Sequence, residues 1–281
     1  METPRLPTGT TRLFALLGDP VAHSLSPRFQ TAGFRAAGVD GVYLSLRCGP
    51  GQLTGLLRGI ALAGGGGNVT VPYKERAVSL LDRATPVVER TGACNTFWLE
   101  GGRVHGDNTD VAGFREAVRS LVGPVAGARV LLLGAGGAAR AALVALVDGR
   151  ADAIDVLNRT RSRAETLRDR VDRQGRRVRV LDDGGRLGRE GYDLIVNATA
   201  LGLAADDPLP LDLRGVHRVG AALDIVVGEN GATAWTRHAE SLEIAAADGL
   251  EMLLHQGAAA FERWWGAEAP LDAMRAAVTG P

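Results

Sequence analysis

The sequence predicts an α/β chain in two parts. Three observations carry that prediction. Short apolar or alternating runs recur between longer amphipathic runs from residue 12 to residue 227, the order expected of strands alternating with helices. The stretch VGPVAGA (122–128) is rich in Gly, Pro and Ala and reads as a boundary between two such sets. Immediately after it, RVLLLG is almost wholly apolar, as befits a strand of a parallel sheet covered on both faces.

Composition bounds the rest. A chain of 281 residues has the length of two domains or one large one, and 46% hydrophobic residues suffice for a sizeable core. Thirty-two basic and 32 acidic residues cancel to zero formal charge, which argues against nucleic acid or a membrane surface as a partner held by bulk charge. The longest apolar runs, such as VLLLG, are far too short to span a bilayer. METPRLPTGTTR has no apolar core of a secretory signal, so a cytoplasmic chain is expected. Cys48 and Cys94 form neither a CxxC nor a metal-type spacing, so both are expected as free thiols and no metal is expected.

In order, RLFALLG (12–18) reads as a buried strand and SPRFQTAGFRAAG (26–38) as a helix, with Ser26 near its N-cap, Pro27 in the first turn and Gly38 at its end. GVYLSLRC (41–48) alternates like a strand. GQLTGLLRGIALAG (51–64) is helix-like despite its glycines, and GGGG (64–67) reads as a turn or a close backbone approach. GNVTVP (67–72) is a short β-branched strand stopped by Pro72, and YKERAVSLLD (73–82) a helix directly after it. CNTFWLE and GRVHG suit a hairpin around residues 100–102. NTDVAGFREAVRSL (108–121) begins a helix with Asp110 at its positive end. Beyond the boundary follow a helix in GAARAALVALVD, a strand in AIDVLN, a polar-faced helix in SRAETLRDRVDRQ and a strand in RVRVL. Further strands are expected in YDLIVNAT (192–199) and AALDIVV (221–227), a helix in EMLLHQGAAAFERWWG (251–266), and a short last helix.

Gly134-Ala135-Gly136-Gly137-Ala138-Ala139 fits the dinucleotide fingerprint G-x-G-x-x-G/A, between an apolar strand and a helix. Gly134 allows the tight turn, Gly136 the backbone approach to a pyrophosphate, and Ala139 close helix–strand packing. Amides from Gly137 to Arg140 would face the phosphates at the positive end of the helix. About twenty residues on, where an NAD site uses an acid for the ribose hydroxyl, stand Asn158, Arg159 and Thr160, with Arg163 close behind. An acid there would repel a 2′-phosphate, whereas arginine offers it a fork of donors and a fixed positive charge. The expected cofactor is therefore NADP(H), although NRTRSRAE also reads as a helix start with solvated arginines.

A nucleotide site does not fix a reaction. The first 121 residues hold three polar clusters, each with a plain structural reading beside a chemical one. Ser24 and Ser26, two apart in a turn, could clasp a carboxylate or merely start a helix. Asn68 and Thr70 fall on one strand face, and Lys74 follows Pro72 by two, where a lone lysine is commonly a solvated charge. Asn95 and Asp110 lie near strand and helix ends and could act as caps.

HSLSP (23–27), GNVTVPYKE (67–75), GACNT (92–96), DNTD (107–110), GAGGAAR (134–140), NRT (158–160), NAT (197–199) and DGLEMLLHQG (248–257), in this order and spacing, resemble the shikimate dehydrogenases over nearly the whole chain. The resemblance implies an N-terminal substrate domain (1–121) completed by C-terminal helices (248–281), a Rossmann NADP-binding domain (122–247), and a cleft between them. It implies that Ser24 and Ser26 bind the carboxylate of a cyclohexene or cyclohexane carboxylate, that Thr70, Asn95 and Gln256 address ring hydroxyls, and that Asn68 shapes their surroundings. Lys74 and Asp110 would be the catalytic pair, Lys74 polarising the ketone and protonating the developing alkoxide while Asp110 holds it charged and oriented. Thr199, Leu203 and Gly249 join Gly134–Ala138 and the arginines as implied cofactor contacts. The expected reaction is the NADP-dependent reduction of 3-dehydroshikimate to shikimate; a homodimer is left open.

The sequence departs from the family pattern at four places. Gln30 and Thr31 stand where a His-Asn-type pair is usual, and Val111 stands where Gly follows NTD. In LDIVVGENGAT (223–233) Val227 occupies the tyrosine position of an Asp-x-x-Tyr-x-Pro pattern and the proline is absent; Leu203 replaces a methionine. Two rival expectations follow: a dehydrogenase for quinate or an aminoshikimate-type analogue, and a regulator that binds NADPH without turnover.

Overall fold

The computed structural model describes residues 6–182, 187, 190–202, 206–228 and 231–280. Leu203 lies outside the described residues. The chain divides into two compact units, 1–109 with 256–281 and 110–255.

The first unit carries a mixed sheet. Its elements are β1 (Arg12–Gly18), α1 (Ser26–Ala36), β2 (Gly41–Arg47), α2 (Leu53–Leu62), β3 (Gly66–Val69), α3 (Lys74–Ala77), β4 (Arg83–Ala84), α4 (Pro86–Thr91), β5 (Thr96–Glu100) and β6 (Arg103–Asp107). The strand order is β2-β1-β3-β5-β6-β4, with β1 parallel to β2 and β3, and β5 antiparallel to β3 and β6. The expected hairpin forms around residues 100–102. Leu17, Leu57, Val69, Phe97 and Val104 are buried in its core. The GGGG run is a close approach: a Cβ at Gly67, in the middle of the sheet, would lie 2.0 Å from the Ala15 carbonyl oxygen.

The helix expected over 73–82 is cut short. After α3 comes one 3-10 turn (Val78–Leu80), and the chain turns back toward β6. The Asp82 carboxylate accepts the Val104 N–H at 2.8 Å and pairs with Arg58 at 2.9 Å, contacts that a helical Asp82 would forgo. Helix α4 was not anticipated. Its signals are local: the Thr85 hydroxyl accepts the Val88 N–H, Pro86 occupies the first turn and Gly92 closes the helix at φ 63°.

The second unit contains α5 (Asp110–Val122), β7 (Arg129–Leu133), α6 (Gly137–Asp148), β8 (Ala153–Leu157), α7 (Arg161–Val171), β9 (Val178–Val180), β10 (Leu194–Asn197), β11 (Ala221–Asp224), α8 (Ala234–Glu240) and β12 (Ala245–Ala247). Helices α9 (Leu250–Trp265) and α10 (Leu271–Thr279) end the chain. All strand pairs in the second sheet are parallel, in the order β12-β11-β10-β7-β8-β9. Chain order reverses at β7, between β8 and β10, which is the doubly wound Rossmann arrangement. Alternate side chains of β7 serve opposite faces: Val130 and Leu132 join Phe114, Leu143 and Val196, while Leu131 and Leu133 join Tyr192 and Trp235. Neither α8 nor β12 was anticipated.

The units divide at 109/110 and 255/256, where the sequence reading had 121/122 and 247/248. The reason is packing. Phe114, Ala117 and Val118 of α5 are buried in the Rossmann core with Leu143 and Leu146, and so is Met252 of α9.

Candidate active site

In the first unit, three strands and one helix bring the predicted polar residues together. Asn68, near the end of β3, is 5% exposed and accepts the Tyr43 hydroxyl from β2 at 2.7 Å. Its own amide donates to the Asn95 carbonyl at 3.1 Å. The Asn95 side chain, just before β5, donates to the Thr109 hydroxyl at 3.0 Å and to Gln256 Oε1 at 3.3 Å. Asn95 Oδ1 accepts the Thr109 N–H at 2.8 Å. Asn68, Asn95, Thr109 and Gln256 are thus one buried hydrogen-bonded cluster, in a place where an ordinary core would be apolar. Lys74, half-buried at the start of α3, is tied to it by the Cys94 N–H, which donates to the Lys74 carbonyl at 2.8 Å. Thr70 is half-buried just beyond β3, held by its N–H to the Leu17 carbonyl at 2.9 Å.

Ser26 is not a cap. The cap position of α1 falls on Leu25, without a side-chain bond, and Ser26 is the first helical residue. Ser26 hydrogen-bonds the Tyr43 phenol, while burial pushes that phenol well above the usual range and keeps it a donor to Asn68. Ser24 is half-buried, and its hydroxyl accepts the Ser26 N–H at 3.2 Å. Tyr43 and Thr109 were missed by sequence reasoning. Thr109 stood inside the DNTD run, whereas Tyr43 carries only the alternation of its strand. Behind the cluster, Asp107 accepts the Thr85 hydroxyl at 2.6 Å and pairs with Arg263 of α9 at 2.9 Å, so helix and sheet hold the 107–109 segment from two sides. Gln30, one of the departures, is buried and donates to the Gly257 carbonyl at 2.9 Å, next to Gln256.

In the second unit Asp110 is 4% exposed and opens α5. The fingerprint turn follows β7. Gly134 has φ 109°, and a Cβ there would lie 2.7 Å from the Ala198 carbonyl oxygen, so the turn rests directly on the chain leaving β10. Ala135 is buried, while Gly136, Gly137 and Ala138 are half-buried. No side chain caps α6, and the space where a Gly136 side chain would stand is open. The Arg140 N–H is already given to the Gly136 carbonyl at 3.0 Å, so of the expected amides those of the first turn before it, at the open helix start, suit a pyrophosphate. The turn is joined to the end of β8 by the Gly134 N–H to the Leu157 carbonyl at 2.8 Å. Beyond it Asn158 is half-buried and donates to the Thr160 carbonyl at 2.7 Å, while Arg159, Thr160 and Arg163 are exposed. Thr160 holds the N-cap position of α7 without making a cap bond, so its hydroxyl is not engaged there. These donors fit a cofactor phosphate. Thr199 is half-buried, and Asn197 accepts its hydroxyl at 2.7 Å. Gly249 is a close approach: its N–H donates to the Val226 carbonyl, and a Cβ would lie 2.2 Å from the Ile225 carbonyl oxygen. Val227 is half-buried in the segment after β11. Among the described residues there is no cluster of metal-ligating side chains and no helix long and apolar enough to cross a membrane.

Comparison with known proteins agrees with both halves. Residues 16–97 match the shikimate dehydrogenase substrate binding domain, 116–203 the shikimate/quinate 5-dehydrogenase model, and 249–279 the shikimate 5′-dehydrogenase C-terminal domain. A shikimate dehydrogenase (NADP(+)) of Rubrobacter xylanophilus is 40% identical over 283 residues, covering 100% of this chain and 99% of its own. The crystal structure of shikimate dehydrogenase from Aquifex aeolicus superposes with a TM-score of 0.88 at 34% identity, covering 97% of this chain and 99% of that one. Shikimate 5-dehydrogenase from Thermus thermophilus, solved in complex with NADP(H) and shikimate, gives 0.83 at 35% identity, covering 95% of this chain and 98% of its own. With its Rossmann sheet, its buried amide cluster and a match running from end to end, this chain belongs to the shikimate dehydrogenase family.

Proposed function

We propose that this chain is an NADP(H)-dependent oxidoreductase that interconverts 3-dehydroshikimate and shikimate. The observation that carries the reading is the buried cluster of Asn68, Asn95, Thr109 and Gln256 beside Lys74. Amide side chains offer both donors and acceptors, which suits a ring bearing several hydroxyls. Ser26, which hydrogen-bonds Tyr43, and Ser24, which accepts the Ser26 N–H, are assigned to the ring carboxylate. NADPH, when bound, supplies a hydride to the ketone carbon. The chain's own part is to fix the ring and deliver a proton to the ketone oxygen. Lys74 is assigned that delivery, with Asp110 as the second member of the pair. In the oxidative direction Lys74 takes the proton back from the ring hydroxyl. Arg159, with Asn158, Thr160 and Arg163, is assigned to the 2′-phosphate, and Cys48 and Cys94, neither in a disulfide, suit a reducing cytoplasmic setting.

Absorbance of reduced cofactor, followed with NADP⁺ and shikimate, tests the reading. Lys74→Ala should lower kcat by roughly 10²–10⁴-fold while KM for shikimate changes little. A loss confined to KM would remove Lys74 from the proton step. Val227 at the tyrosine position of the family pattern favours a second reading, a dehydrogenase for quinate or an amino analogue. Turnover of quinate without turnover of shikimate would put that reading first, and NADPH binding without turnover of any such acid would indicate a regulator.

A further inference from the structure

Asp224 ends β11 with a fully buried carboxylate, 0% exposed. A buried carboxylate usually has a cation beside it. Among the described residues the partners of Asp224 are three neutral donors. Its Oδ1 accepts the Asn197 side-chain amide at 2.9 Å and the Val226 N–H at 3.1 Å, and its Oδ2 accepts the Thr233 hydroxyl at 2.8 Å. Burial raises its pKa, and the nearby Asp248 raises it further. Asp248 is itself occupied, accepting the Gly228 and Leu250 N–H groups.

The acceptor-only character of this group fixes its surroundings. Asn197 and Asp224 are register partners at the ends of β10 and β11. Because the carboxylate can only accept, the Asn197 amide must turn its NH2 toward it. That NH2 also donates to the Leu201 carbonyl at 3.1 Å. With its NH2 held by Asp224 and Leu201, Asn197 presents its oxygen to Thr199, whose N–H and hydroxyl it accepts at 3.1 and 2.7 Å. Thr199 in turn accepts the Leu201 N–H at 3.1 Å, and the fingerprint Gly134 rests on Ala198. On the other side Asp224 holds Val226 and Thr233, the two flanks of the segment that carries Val227. Both segments leave the carboxyl ends of neighbouring parallel strands, the edge at which doubly wound sheets bind ligands.

We propose that Asp224 is a positioning residue of the cofactor site: through Asn197 it sets Thr199, and through its bonds to Val226 and Thr233 it sets the backbone at 225–227 and the start of α8, so that NADP(H) meets Thr199 and Val227 in one fixed form. The inference rests on the reading above and deepens it.

The test is NADPH fluorescence titration of the full-length protein, without substrate. Asp224→Ala removes every acceptor and should raise Kd for NADPH roughly tenfold or more. Its KM for shikimate at saturating NADP⁺ should change less than about twofold, on the same principle that only the lost contacts weaken. Asp224→Asn keeps one oxygen for Asn197 and Val226 and turns its NH2 toward Thr233, so it should recover most of the affinity. If Asp224→Ala does not fold, the pair Asp224→Asn and Thr233→Val decides. Both remove the bond that the Thr233 hydroxyl donates to the carboxylate, Thr233→Val also losing the cap on the Thr236 N–H, so the double variant should bind NADPH no more weakly than the worse single variant. Wild-type affinity in folded Asp224→Ala, an equal loss in shikimate KM, or full additivity of the pair overturns the inference alone. A wild-type chain that binds no NADPH overturns the proposed function, and this inference with it.

Discussion

Replacing Thr109 by valine removes a hydroxyl and keeps the shape. In the folded chain that hydroxyl, 3.0 Å from Asn95 Nδ2, accepts one amide hydrogen, and its oxygen lies 3.1 Å from Asn95 Oδ1. Thr109 is 4% exposed and Asn95 2%, so water does not take over either role. The backbone bond from the Thr109 N–H to Asn95 at 2.8 Å survives, which confines the damage to the hydroxyl. One buried amide hydrogen loses its acceptor, at a cost of about 1–3 kcal/mol. At roughly 2–4 °C per kcal/mol for a chain of this size class, the thermal midpoint should fall by several degrees. Function should move as well. Asn95 also donates to Gln256 at 3.3 Å, and an amide freed from Thr109 can rotate toward that weaker partner. The KM for shikimate should then rise about tenfold, the equivalent of 1.4 kcal/mol, while Kd for NADPH stays put. Thr109→Ser should restore both. Circular dichroism melting and steady-state kinetics on the three proteins suffice. A valine variant with the wild-type midpoint and KM would mean that Asn95 is not oriented by Thr109, and the account of the amide cluster would lose its foundation.

Three further outcomes are expected. Arg159→Ala should weaken NADPH binding by about 1.5–3 kcal/mol, the range for a hydrogen bond to a charged group, and leave NADH binding unchanged; isothermal titration with both cofactors measures the difference. Gly134→Ala forces a side chain into φ 109° and within 2.7 Å of the Ala198 carbonyl oxygen, so it should lower stability by on the order of 1–3 kcal/mol for the backbone alone and weaken NADPH binding in the same preparation. Hydrogen bonds from the Arg214 side chain and backbone hold the Asp212 carboxyl down at about 2, against an ordinary 3.8. A depressed acid stabilises the fold fully above pH 3.8 and loses that contribution as pH falls toward 2. Carbon-detected NMR titration should show the low midpoint, and Arg214→Ala should move it up toward the ordinary value.

The residues that sequence reasoning placed correctly are those whose local pattern decides their conformation. The apolar β7 run, the glycine turn after it and the helix from Gly137 follow from side-chain size and φ alone, and β1 and α6 begin and end where the pattern puts them. The missed helix α4 was equally legible, since Thr85, Pro86 and Gly92 spell its start and stop. The shortened helix after Lys74 was not legible. Asp82 leaves it for Val104 and Arg58, which lie 22 and 24 residues away in the chain.

The sequence by itself determined the class of fold, the fingerprint turn, the arginine after β8 and the identities of the polar residues near Lys74. Each is a property of one residue or of neighbours a few positions apart. Only the tertiary structure decided that α5 belongs to the Rossmann core, that Ser26 meets Tyr43 rather than capping its helix, and that Asn95 faces both Thr109 and Gln256. It also decided that Asp224 lies beside Asn197 rather than beside a cation. The physical reason is common to all four. A hydrogen bond or a buried face is a relation between two groups, and strand pairing brings together groups that sequence spacing keeps far apart.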